Sequence, residues 1–508
     1  MFSHLRKLCR IIWCTSSEKL NFICATESLQ KLRRRQLFFY RCSLRYRLFF
    51  HCLILLQSTG RTVRGRPMDD ASHHSFRMSA VQQFDIIVLG AGISGLVAAS
   101  ILSAQGNRVI VVDEYDHVGG NHIDWSSREG YTFDVGSLIF QDDSPLLRHF
   151  PELLERYVPI KPSWGRLNPQ GKITVYPISI RDDILGAGPI GAVRIFVSVL
   201  YARIFCRRMA NARDFARYWI GAYLLHRSGL GTYMKRFYGV PAEEIDLDLA
   251  RKRMLWIAEY ASLMNLLRRL LKRKRSIAPK NRQMARPREG FSVLYDAAVS
   301  RLQSCGVVFK LSASIHQVHK TDRGYAMSLD DASLAASRII STVPIEVAER
   351  ICGNGKTSGL KTITLITLYF SFAGDRGFRQ SIIYNFSHQG SWKRLTVYSD
   401  FYGRVAGREY FAVEVIAGVV TSAEQAEADF RHHVCANRLF NGDLKLEGNQ
   451  ILTNAYPIYS KGAAQNAADA IARLRTFGIE SIGRQGGFNY QPTARVSTID
   501  VETAIGNP

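Results

Sequence analysis

Residues 84–121, FDIIVLGAGISGLVAASILSAQGNRVIVVDEYDHVGGN, decide the fold of this chain. The apolar run before Gly90 is typical of a buried parallel strand, and helical apolar spacing follows Gly95. Gly90 permits a tight turn from strand to helix, Gly92 lets the backbone approach a pyrophosphate, and Gly95 lets the helix pack close to the strand. A second apolar strand ends at Asp113, within reach of ribose hydroxyls. The stretch therefore predicts a dinucleotide-binding unit, and by itself it does not separate NAD from FAD.

A second glycine pair follows the acid, in the stretch HVGGN at residues 117–121. It offers another backbone segment that can approach the same cofactor. Here the sequence resembles the flavoprotein group of amine oxidases, protoporphyrinogen oxidases, phytoene desaturases and UDP-galactopyranose mutases, in which such a pair lies along the FAD. With Asn121 after the glycines, the stretch most resembles the mutases and their relatives in polysaccharide gene clusters. The resemblance implies an α/β fold, with a discontinuous Rossmann-like FAD-binding domain and an inserted α+β substrate domain.

The charge and the cysteine content limit which partners, compartment and metal sites we expect for this protein. The 508-residue chain carries a net charge of +24, of which +11 lies in residues 1–77 (15 basic against 4 acidic residues) and +13 in the rest. Nothing resembling a nucleic-acid reading module accompanies this charge, so we expect no nucleic-acid partner. The four cysteines after residue 77 contain no CxxC pair, which favours buried thiols in a reducing compartment over disulfides or a metal site. We expect a cytoplasmic protein without a metal ion, either free or peripheral to the inner face of the membrane.

Residues 1–77 show no hydrophobic periodicity and no helix-capping signals, and they contain five of the nine cysteines. Their longest apolar run, residues 48–56, is too short to span a bilayer. No apolar core with a small-residue cleavage site marks a signal peptide, although the arginine-rich, acid-poor composition is also typical of a transit peptide. The leading hypothesis is that translation starts at Met78 or Met68, which makes this segment a mis-assigned start or a disordered extension.

A strand with an internal glycine is predicted at residues 130–140, GYTFDVGSLIF. Gly136 suggests a close approach of the backbone to a ligand. In the flavoprotein group the matching FDxG segment passes near the isoalloxazine ring, which implicates Gly136 and Ser137. The mutases carry histidines over the flavin at the positions of Leu138 and Gln141. This departure weighs against a mutase and leaves the FAD prediction unchanged.

Residues 190–205 are apolar but contain Arg194 and Arg203, which argues against a transmembrane helix. We predict a core-facing helix of the substrate lobe. The alternative is a membrane-surface helix whose arginine side chains reach the lipid headgroups.

Residues 231–245, GTYMKRFYGVPAEEI, resemble a pYtxKvWGxPxxeI signature of the polysaccharide-cluster relatives. The resemblance makes Lys235 and Tyr238 candidates for the substrate site. A helix that ends at Gly239 before Pro241 explains the same pattern by capping and packing, and this alternative stays open.

Residues 266–288 contain ten Lys and Arg and no acidic residue. We predict a solvated face or a mobile loop for this basic segment. The alternatives are attraction to a nucleotide diphosphate, to a polyprenyl-phosphate lipid or to an anionic membrane.

After Pro287 the chain is predicted to return to the cofactor domain. This part resembles the group's middle segment, in which the residue at Val318 hydrogen-bonds the adenine through its backbone; an edge-strand valine is the alternative. Residues 360–420 alternate apolar and polar positions, which predicts antiparallel strands of the substrate lobe. Arg394 lies at the position of an arginine that faces substrate in the mutases, and Glu414 at a similarly matched strand position. A lone arginine on a strand is otherwise solvent-exposed.

A second glycine cluster, GRQGGFNY at residues 483–490, precedes a predicted helix. It resembles the GRxgxxkY segment that closes the flavin site of the mutases. The resemblance implies that Gly483 lies near the phosphates and Arg484 at the flavin edge, with Tyr490 close by. The helix N-terminus can stabilise negative charge on a reduced flavin. This second cluster favours FAD over NAD.

The predicted domain order follows from these segments. Residues 1–77 precede the fold. The FAD-binding domain is formed by residues 84–150, 287–345 and 451–508. Residues 151–286 form a helical substrate lobe, and residues 346–450 form an antiparallel-sheet substrate lobe.

The predicted function is an FAD-dependent oxidoreductase that passes substrate hydride to flavin N5, in polysaccharide or lipid-linked sugar metabolism. The alternative is a mutase-like isomerase that uses reduced FAD to interconvert pyranose and furanose forms of a nucleotide sugar; a degenerate flavin-binding module is a third. The expected partner is a small molecule, such as a nucleotide sugar or a lipid-linked sugar. The catalytic candidates are Arg394, Lys235, Tyr238 and Arg484. The predicted cofactor contacts are Gly90, Gly92, Ile93, Ser94, Gly95, Asp113, Glu114, Gly119, Gly120, Asn121, Gly136, Ser137, Val318, Gly483, Arg484 and Tyr490.

Overall fold

The computed structural model describes residues 81–136, 139–261, 281–353, 355 and 357–506. The predictions for residues 1–77, for Ser137 and Leu138, and for most of the basic segment lie outside these ranges.

Strands account for most of the described regular structure before residue 180 and after residue 281. They are β1 Gln82–Leu89, β2 Val109–Val112, β3 Ile123–Ser126, β4 Thr132–Val135, β5 Phe140–Gln141, β6 Val158–Ile160, β7 Trp164–Leu167, β8 Ile173–Val175, β9 Gln283–Ala285 and β10 Val308–Lys310. The remaining strands are β11 Ile315–Thr321, β12 Gly324–Leu329, β13 Ser333–Ser341, β14 Thr362–Arg376, β15 Ile382–Asn385, β16 Trp392–Val397, β17 Glu409–Ile416, β18 Phe440–Pro457 and β19 Ile479–Ser481.

Helices cover the sheets and build a separate lobe. They are α1 Ile93–Ala104, α2 Leu146–His149, α3 Leu153–Arg156, α4 Gly188–Phe205, α5 Ala212–Arg227, α6 Leu230–Tyr238, α7 Leu247–Arg253 and α8 Leu255–Ala261. The later helices are α9 Phe291–Ser304, α10 Ile345–Ile351, α11 Ser399–Tyr402, α12 Ala423–Ala436, α13 Ala463–Phe477, α14 Gly483–Gly486 and α15 Ala494–Ile505.

The first sheet has the strand order β10-β2-β1-β13-β12-β11, with β19 beside β13. The β10, β2, β1, β13 and β19 pairings are parallel, and β12 and β11 add an antiparallel extension. Every residue of β2 is buried, as expected for a parallel strand that is covered on both faces. Because its strands come from residues 82–112, 308–341 and 479–481, the sheet combines three separated parts of the chain. The predicted α/β fold with a discontinuous Rossmann-like domain is confirmed.

The second sheet has the strand order β18-β14-β17-β16-β15-β7-β8 and is antiparallel except for the β15–β7 pair. Its core includes the fully buried Trp392 and Phe370, with Phe430 of α12 packed against them. The predicted division at residue 450 falls inside β18. Strands β7 and β8 come from the region predicted as a helical lobe, since runs of three or four residues carry too little periodicity to be read from sequence.

Helices α4 to α8 form the helical lobe, and only one side of α4 faces its core. Of the 18 residues of α4, Gly191, Ile195 and Ala202 are buried. One side of α4 packs against α5, as predicted for a core-facing helix, but the apolar residues on its other side are exposed. Ile180–Phe205 is the one helical stretch within the described ranges whose length and composition match a membrane span, and 11% of its apolar window is buried.

At the end of the basic segment Arg286 is buried, contrary to the predicted solvated face, whereas the side chain of Arg282 is 69% exposed. Arg286 is fully buried and forms an ion pair with Asp134, and Arg282 donates to Asp142. These two arginines therefore bind β9 and its flanks to the cofactor half, whereas residues 262–280 are not described.

A buried histidine in the second sheet predicts a loss of stability in acid. Trp392 Nε1 donates to His433 Nδ1 at 2.8 Å, and the other ring nitrogen is 3.0 Å from Ser387 Oγ. Burial, together with the charge of Arg236, lowers the pKa of His433 from 6.5 to about 4. Between these two values the unfolded chain binds a proton that the folded chain does not bind, so stability falls as the pH decreases through this window.

We expect this histidine to cost about 2 kcal/mol of unfolding free energy between about pH 7 and about pH 5. Urea denaturation at both pH values should show the loss in the wild type and a smaller loss in His433→Gln, whose amide can still accept from Trp392. Equal losses in both proteins would contradict the assignment.

Candidate functional site

The first glycine turn lies at the carboxyl end of β1. Gly90 has a φ of +98°, in the region that favours glycine. A Cβ at Gly95 would lie 1.8 Å from the Gly90 carbonyl oxygen, and one at Gly90 would lie 2.5 Å from Thr342 Oγ1. No side chain caps α1, whose first turn contains Ile93 and Ser94. The N–H groups of this turn are therefore available to a ligand.

The second glycine pair lies against this turn. Gly119 N donates to Ala91 O at 2.9 Å, and Gly92 and Gly119 form a parallel bridge. The Gly120 Cα lies 3.7 Å from where a Cβ of Gly92 would stand. The result is a cradle with walls of backbone, which the phosphates of a dinucleotide can approach closely.

Asp113 joins the glycine turn to the loop after β2. Its carboxylate accepts from Ala91 N at 2.5 Å and from Tyr115 N at 2.9 Å. Burial raises the pKa of Asp113, although these N–H groups act in the opposite direction. The next residue, Glu114, is exposed. The carboxylate thus stands at the edge of the cradle, where its contact with a ribose stays a prediction.

Val318 lies on β11, and its side chain is buried in the core below the first sheet. The segment that bonds to the acid loop comes earlier in the chain. Ser312 N donates to Tyr115 O at 2.8 Å, and Ala313 N donates to Asp113 O at 2.9 Å. Sequence reasoning missed this pair of hydrogen bonds. In the structure Ser312 has a positive φ of 52°. The adenine contact of Val318 stays a prediction.

The second glycine cluster meets the first turn at the same edge of the sheet. Gly483 has a φ of +83°, and a Cβ there would lie 2.7 Å from Ser94 Oγ. The strand before it, β19, pairs with β13, which in turn pairs with β1. Helix α15 packs against α1. Two glycine turns that are almost 400 residues apart in the sequence therefore meet at the carboxyl end of β1.

Three further predicted contacts converge on the end of β18. Asn121 Nδ2 donates to Ala455 O at 2.7 Å. A Cβ at Gly136 would lie 3.2 Å from the hydroxyl of Tyr456, and the Arg484 guanidinium lies 5.0 Å from the Tyr456 ring centroid. Strand β18 thus connects the glycine turns to the substrate lobes.

Next to the end of β18 lies a group of aromatic side chains that we call the tyrosine cluster. The rings of Tyr176 and Tyr384 are 4.3 Å apart, and those of Tyr459 and Tyr490 are 5.7 Å apart. Burial raises the pKa of Tyr490 to about 12, so its phenol is neutral near pH 7. The hydroxyl of Tyr459 is buried and has no hydrogen-bond partner within the described residues. The cluster comprises Tyr176, Tyr233, Tyr238, Tyr384, Tyr459 and Tyr490.

A pair of cations on β16 shares one carboxylate beside the cluster. Lys393 Nζ lies 2.8 Å from Glu414 Oε2, and Arg394 Nε lies 2.8 Å from Glu414 Oε1. Successive strand residues normally face opposite sides, and an irregularity in the β16–β17 register lets both reach Glu414. Burial acts to raise the pKa of Glu414, but the charges of Arg394 and Lys393 outweigh it and hold the pKa below its usual value.

Two more arginines contact the cluster from other elements. The Arg253 guanidinium lies 4.3 Å from the Tyr490 ring centroid and donates to the Tyr490 carbonyl. Arg484 lies near enough to Tyr459 to lower its pKa against the larger, raising effect of burial. With Lys393 and Arg394, four cations thus surround neutral phenols and one carboxylate. This arrangement can bind an anionic group.

The structure separates the four catalytic candidates. Arg394, Arg484 and Tyr238 lie in or beside the tyrosine cluster, and Arg394 is largely buried, unlike a solvent-exposed strand arginine. Lys235 is exposed on α6 and does not belong to the cluster.

Several residues of the candidate site were missed by sequence reasoning. Arg253 and Lys393 are part of the cationic set, and Arg236 donates to the carbonyls of Ser387 and Gln389, which fixes the loop after β15. Each is a single basic residue without a motif of its own, so no sequence signal marks it. Within the described ranges, no group of three or more His, Cys, Asp or Glu residues could hold a metal ion.

Comparison with known sequences finds short matches. The NAD(P)-binding Rossmann-like domain family matches residues 88–153. A prolycopene isomerase of an Oncidium hybrid cultivar is 41% identical over 69 residues, which are 14% of this chain and 12% of that protein. UDP-galactopyranose mutase of Mycoplasma genitalium is 50% identical over 44 residues, 9% of this chain and 11% of that one. The chain thus aligns with only about a tenth of the length of these relatives.

A longer match is the chloroplastic protoporphyrinogen oxidase of Nicotiana tabacum, 25% identical over 293 residues, which are 53% of this chain and 52% of that protein. Among solved structures, reduced UDP-galactopyranose mutase has a TM-score of 0.66 at 15% identity, over 83% of this chain and 96% of that one. A putative protoporphyrinogen oxidase from Exiguobacterium has a TM-score of 0.64 at 14% identity, over 84% and 99%. Residues 88–153 therefore match an NAD(P)-binding Rossmann-like domain, and the chain has a fold similar to those of UDP-galactopyranose mutase and of this putative protoporphyrinogen oxidase.

Proposed function

We propose that this protein binds FAD and acts as a flavin-dependent oxidoreductase on a small-molecule substrate. The observation that carries the proposal is the convergence of the two glycine turns, where Gly483 packs on Ser94 directly beside the tyrosine cluster. A nicotinamide dinucleotide would need the first turn alone. The second turn adds a surface for a cofactor whose ring extends towards the substrate lobes.

The residues of the cradle fit this cofactor. The first turn of α1 and the backbone of Gly92 and Gly120 would hold the pyrophosphate, and Asp113 would accept from the ribose. Arg484 and the segment around Gly136 would border the flavin ring. When bound, FAD would accept a hydride from the substrate and release the electrons to oxygen or another acceptor.

The tyrosine cluster would orient the substrate and exclude water from it. Its phenols are neutral donors, and the hydroxyl of Tyr459, unpaired among the described residues, offers a hydrogen bond to a ligand. The cations beside them favour a substrate with an anionic group, whose charge they would bind in a largely desolvated place. The four cations are held on α7, on β16 and in the second glycine cluster, so their positions are fixed by the fold.

A mutase-like isomerase acting on a nucleotide sugar or a lipid-linked sugar is the second candidate. The set of Arg253, Lys393, Arg394 and Arg484 favours it, because a diphosphate needs several cations. Gln141 stands at a position where the mutases carry a histidine, and this difference weighs against an isomerase. Its side chain accepts a hydrogen bond from Arg495. The leading proposal therefore stays with redox chemistry.

Cofactor content tests the first step. The full chain, purified and incubated with FAD, should retain the visible absorbance spectrum of an oxidised flavin after gel filtration. A colourless protein that is folded by circular dichroism would overturn the proposal of an FAD enzyme in both of its forms.

A second experiment separates the two chemistries. We expect bleaching of the bound flavin under anaerobic conditions by a substrate from a panel of amines, alkenes and sugars. Ring interconversion of UDP-galactose by the dithionite-reduced protein, without net flavin oxidation, would favour the isomerase instead.

In either case Arg394→Met should lower turnover at least about tenfold, whereas Lys235→Met, a matched change at an exposed position, should not.

A further inference from the structure

One side of α4 presents an uninterrupted apolar surface to solvent. On a helical wheel this surface spans an arc of roughly 120°, as wide as the stripe by which a helix normally faces a protein core. A contiguous apolar surface of this kind marks an interaction site. Its side chains, between 47% and 73% exposed, are Ile190, Val193, Phe196, Val197, Leu200 and Ile204; we call them the α4 apolar face.

Arginines border this face on both sides. By helical position, Arg194 follows one edge of the arc and Arg203 the other. The Arg203 guanidinium lies 4.3 Å from the ring centroid of Trp219 and 4.7 Å from that of Tyr218, both on α5. The side of α4 opposite to the apolar face packs against α5. The helix is therefore anchored to the lobe on one side and apolar on the other.

A basic groove continues from the end of the α4 apolar face. It has a volume of about 450 Å³ and lies between the end of α4 and the start of α5. Ile204 is shared between the face and the groove, so the two surfaces are continuous. The rest of the lining is Phe205, Cys206, Arg207, Arg208, Asp214 and Arg217. Three arginines against one carboxylate make the groove cationic.

We propose that α4 docks the protein onto the surface of an anionic membrane, with its apolar face in the acyl boundary and the arginines of the groove on lipid phosphates. Charge argues for a lipid surface over a second copy of this chain, because the groove needs an anionic partner directly beside an apolar one. An anionic leaflet has this order of layers, and residues 78–508 carry a net charge of +13.

The orientation of α4 follows from the same contacts. A helix of 18 residues is about 27 Å long, which approaches the thickness of a hydrocarbon core. Its contact with α5 along one side, and the arginines at both edges of the face, instead favour a position in the plane of the interface. Binding then brings the helical lobe, whose core includes the tyrosine cluster, to the lipid surface.

Vesicle flotation with the full, FAD-loaded chain tests the proposal. We expect binding to vesicles of equal parts phosphatidylcholine and phosphatidylglycerol, and much weaker binding to phosphatidylcholine alone. Val193→Asp/Val197→Asp should reduce partitioning to the anionic vesicles at least about tenfold. Val419→Asp, at an 83% exposed position outside the helical lobe, should bind like the wild type.

The groove is tested separately by Arg207→Gln/Arg208→Gln, for which we expect a loss of roughly fivefold per arginine on anionic vesicles. Failure of the wild type to float, or normal flotation of the Val193→Asp/Val197→Asp variant, would overturn the proposal. So would bound protein that resists alkaline carbonate extraction, since that behaviour indicates a spanning helix. A dimer in light scattering that the valine changes convert to a monomer, without vesicle binding, would assign the face to a second copy instead.

Discussion

Replacing Gly92 with alanine is expected to abolish retention of FAD while leaving the fold intact. Residue 92 has a φ of −72°, which alanine adopts freely, and its Cβ would lie 3.7 Å from the Gly120 Cα, an ordinary contact. The new methyl group would nevertheless stand in the cradle where the pyrophosphate has to approach the backbone. We expect FAD affinity to fall at least about tenfold, or about 1.4 kcal/mol, in a fluorescence titration. The unfolding free energy of the apoprotein should change by no more than about 1 kcal/mol.

Two other glycines serve as controls for this prediction. A Cβ at Gly418 would meet no neighbouring atom of the described residues within 4 Å, so Gly418→Ala should bind FAD like the wild type. At Gly95 the Cβ would overlap the Gly90 carbonyl oxygen at 1.8 Å, so Gly95→Ala should destabilise the protein itself. Normal FAD affinity in Gly92→Ala would contradict the position that we assign to the pyrophosphate.

Replacing Arg286 with methionine is expected to cause the largest loss of stability among the changes considered. Arg286 is fully buried, and besides its ion pair with Asp134 it donates to the carbonyl of Thr132 at 2.9 Å. Burial raises the pKa of Asp134 to about 7, although Arg286 acts to lower it. Removal of the arginine leaves a buried carboxyl without its partner, which costs about 3–5 kcal/mol. Urea denaturation of the apoprotein measures this loss.

The loss should depend on pH in a definite direction. Without Arg286, the folded-state pKa of Asp134 stays raised above its unfolded value of about 3.9, so the folded chain keeps a proton that the unfolded chain loses. Because the wild-type pKa of Asp134 is already about 7, the deficit of Arg286→Met relative to the wild type should be smallest below about pH 7 and grow as the pH rises from there towards the higher pKa of the variant. Asp134→Asn/Arg286→Met, which removes the charge, should recover part of the stability near neutral pH. A deficit that does not change with pH would argue against an unpaired carboxyl as its cause.

The cofactor unit was predictable because its determinants are contiguous in the chain. Turn, helix start and terminal acid lie within residues 90–113, and Gly95 is required by the Gly90 carbonyl oxygen five residues before it. The alternating strands of the second sheet were predictable for the same reason, since period-two alternation is a local signal. The resemblance to a known superfamily extended this local information to the second glycine cluster.

The exposure of α4 and the burial of Arg286 could not be read in the same way. An apolar run looks the same whether it faces a core or solvent, and an arginine next to prolines and other arginines looks solvated until Asp134 is placed beside it. Likewise Arg253 and Lys393 became site residues only when α7 and β16 met the chain around Tyr490 and Glu414.

By itself the sequence determined the glycine turns and the parallel strands that lead into them, because those features depend on neighbouring residues and on backbone sterics; the class of cofactor that we propose came from resemblance. Tertiary structure alone decided which side chains gather around the cofactor edge and which apolar helix stays uncovered. Both depend on contacts between separate helices and strands, such as that of Arg253 with Tyr490, where the free energy is set by desolvation and charge pairing that no local pattern records.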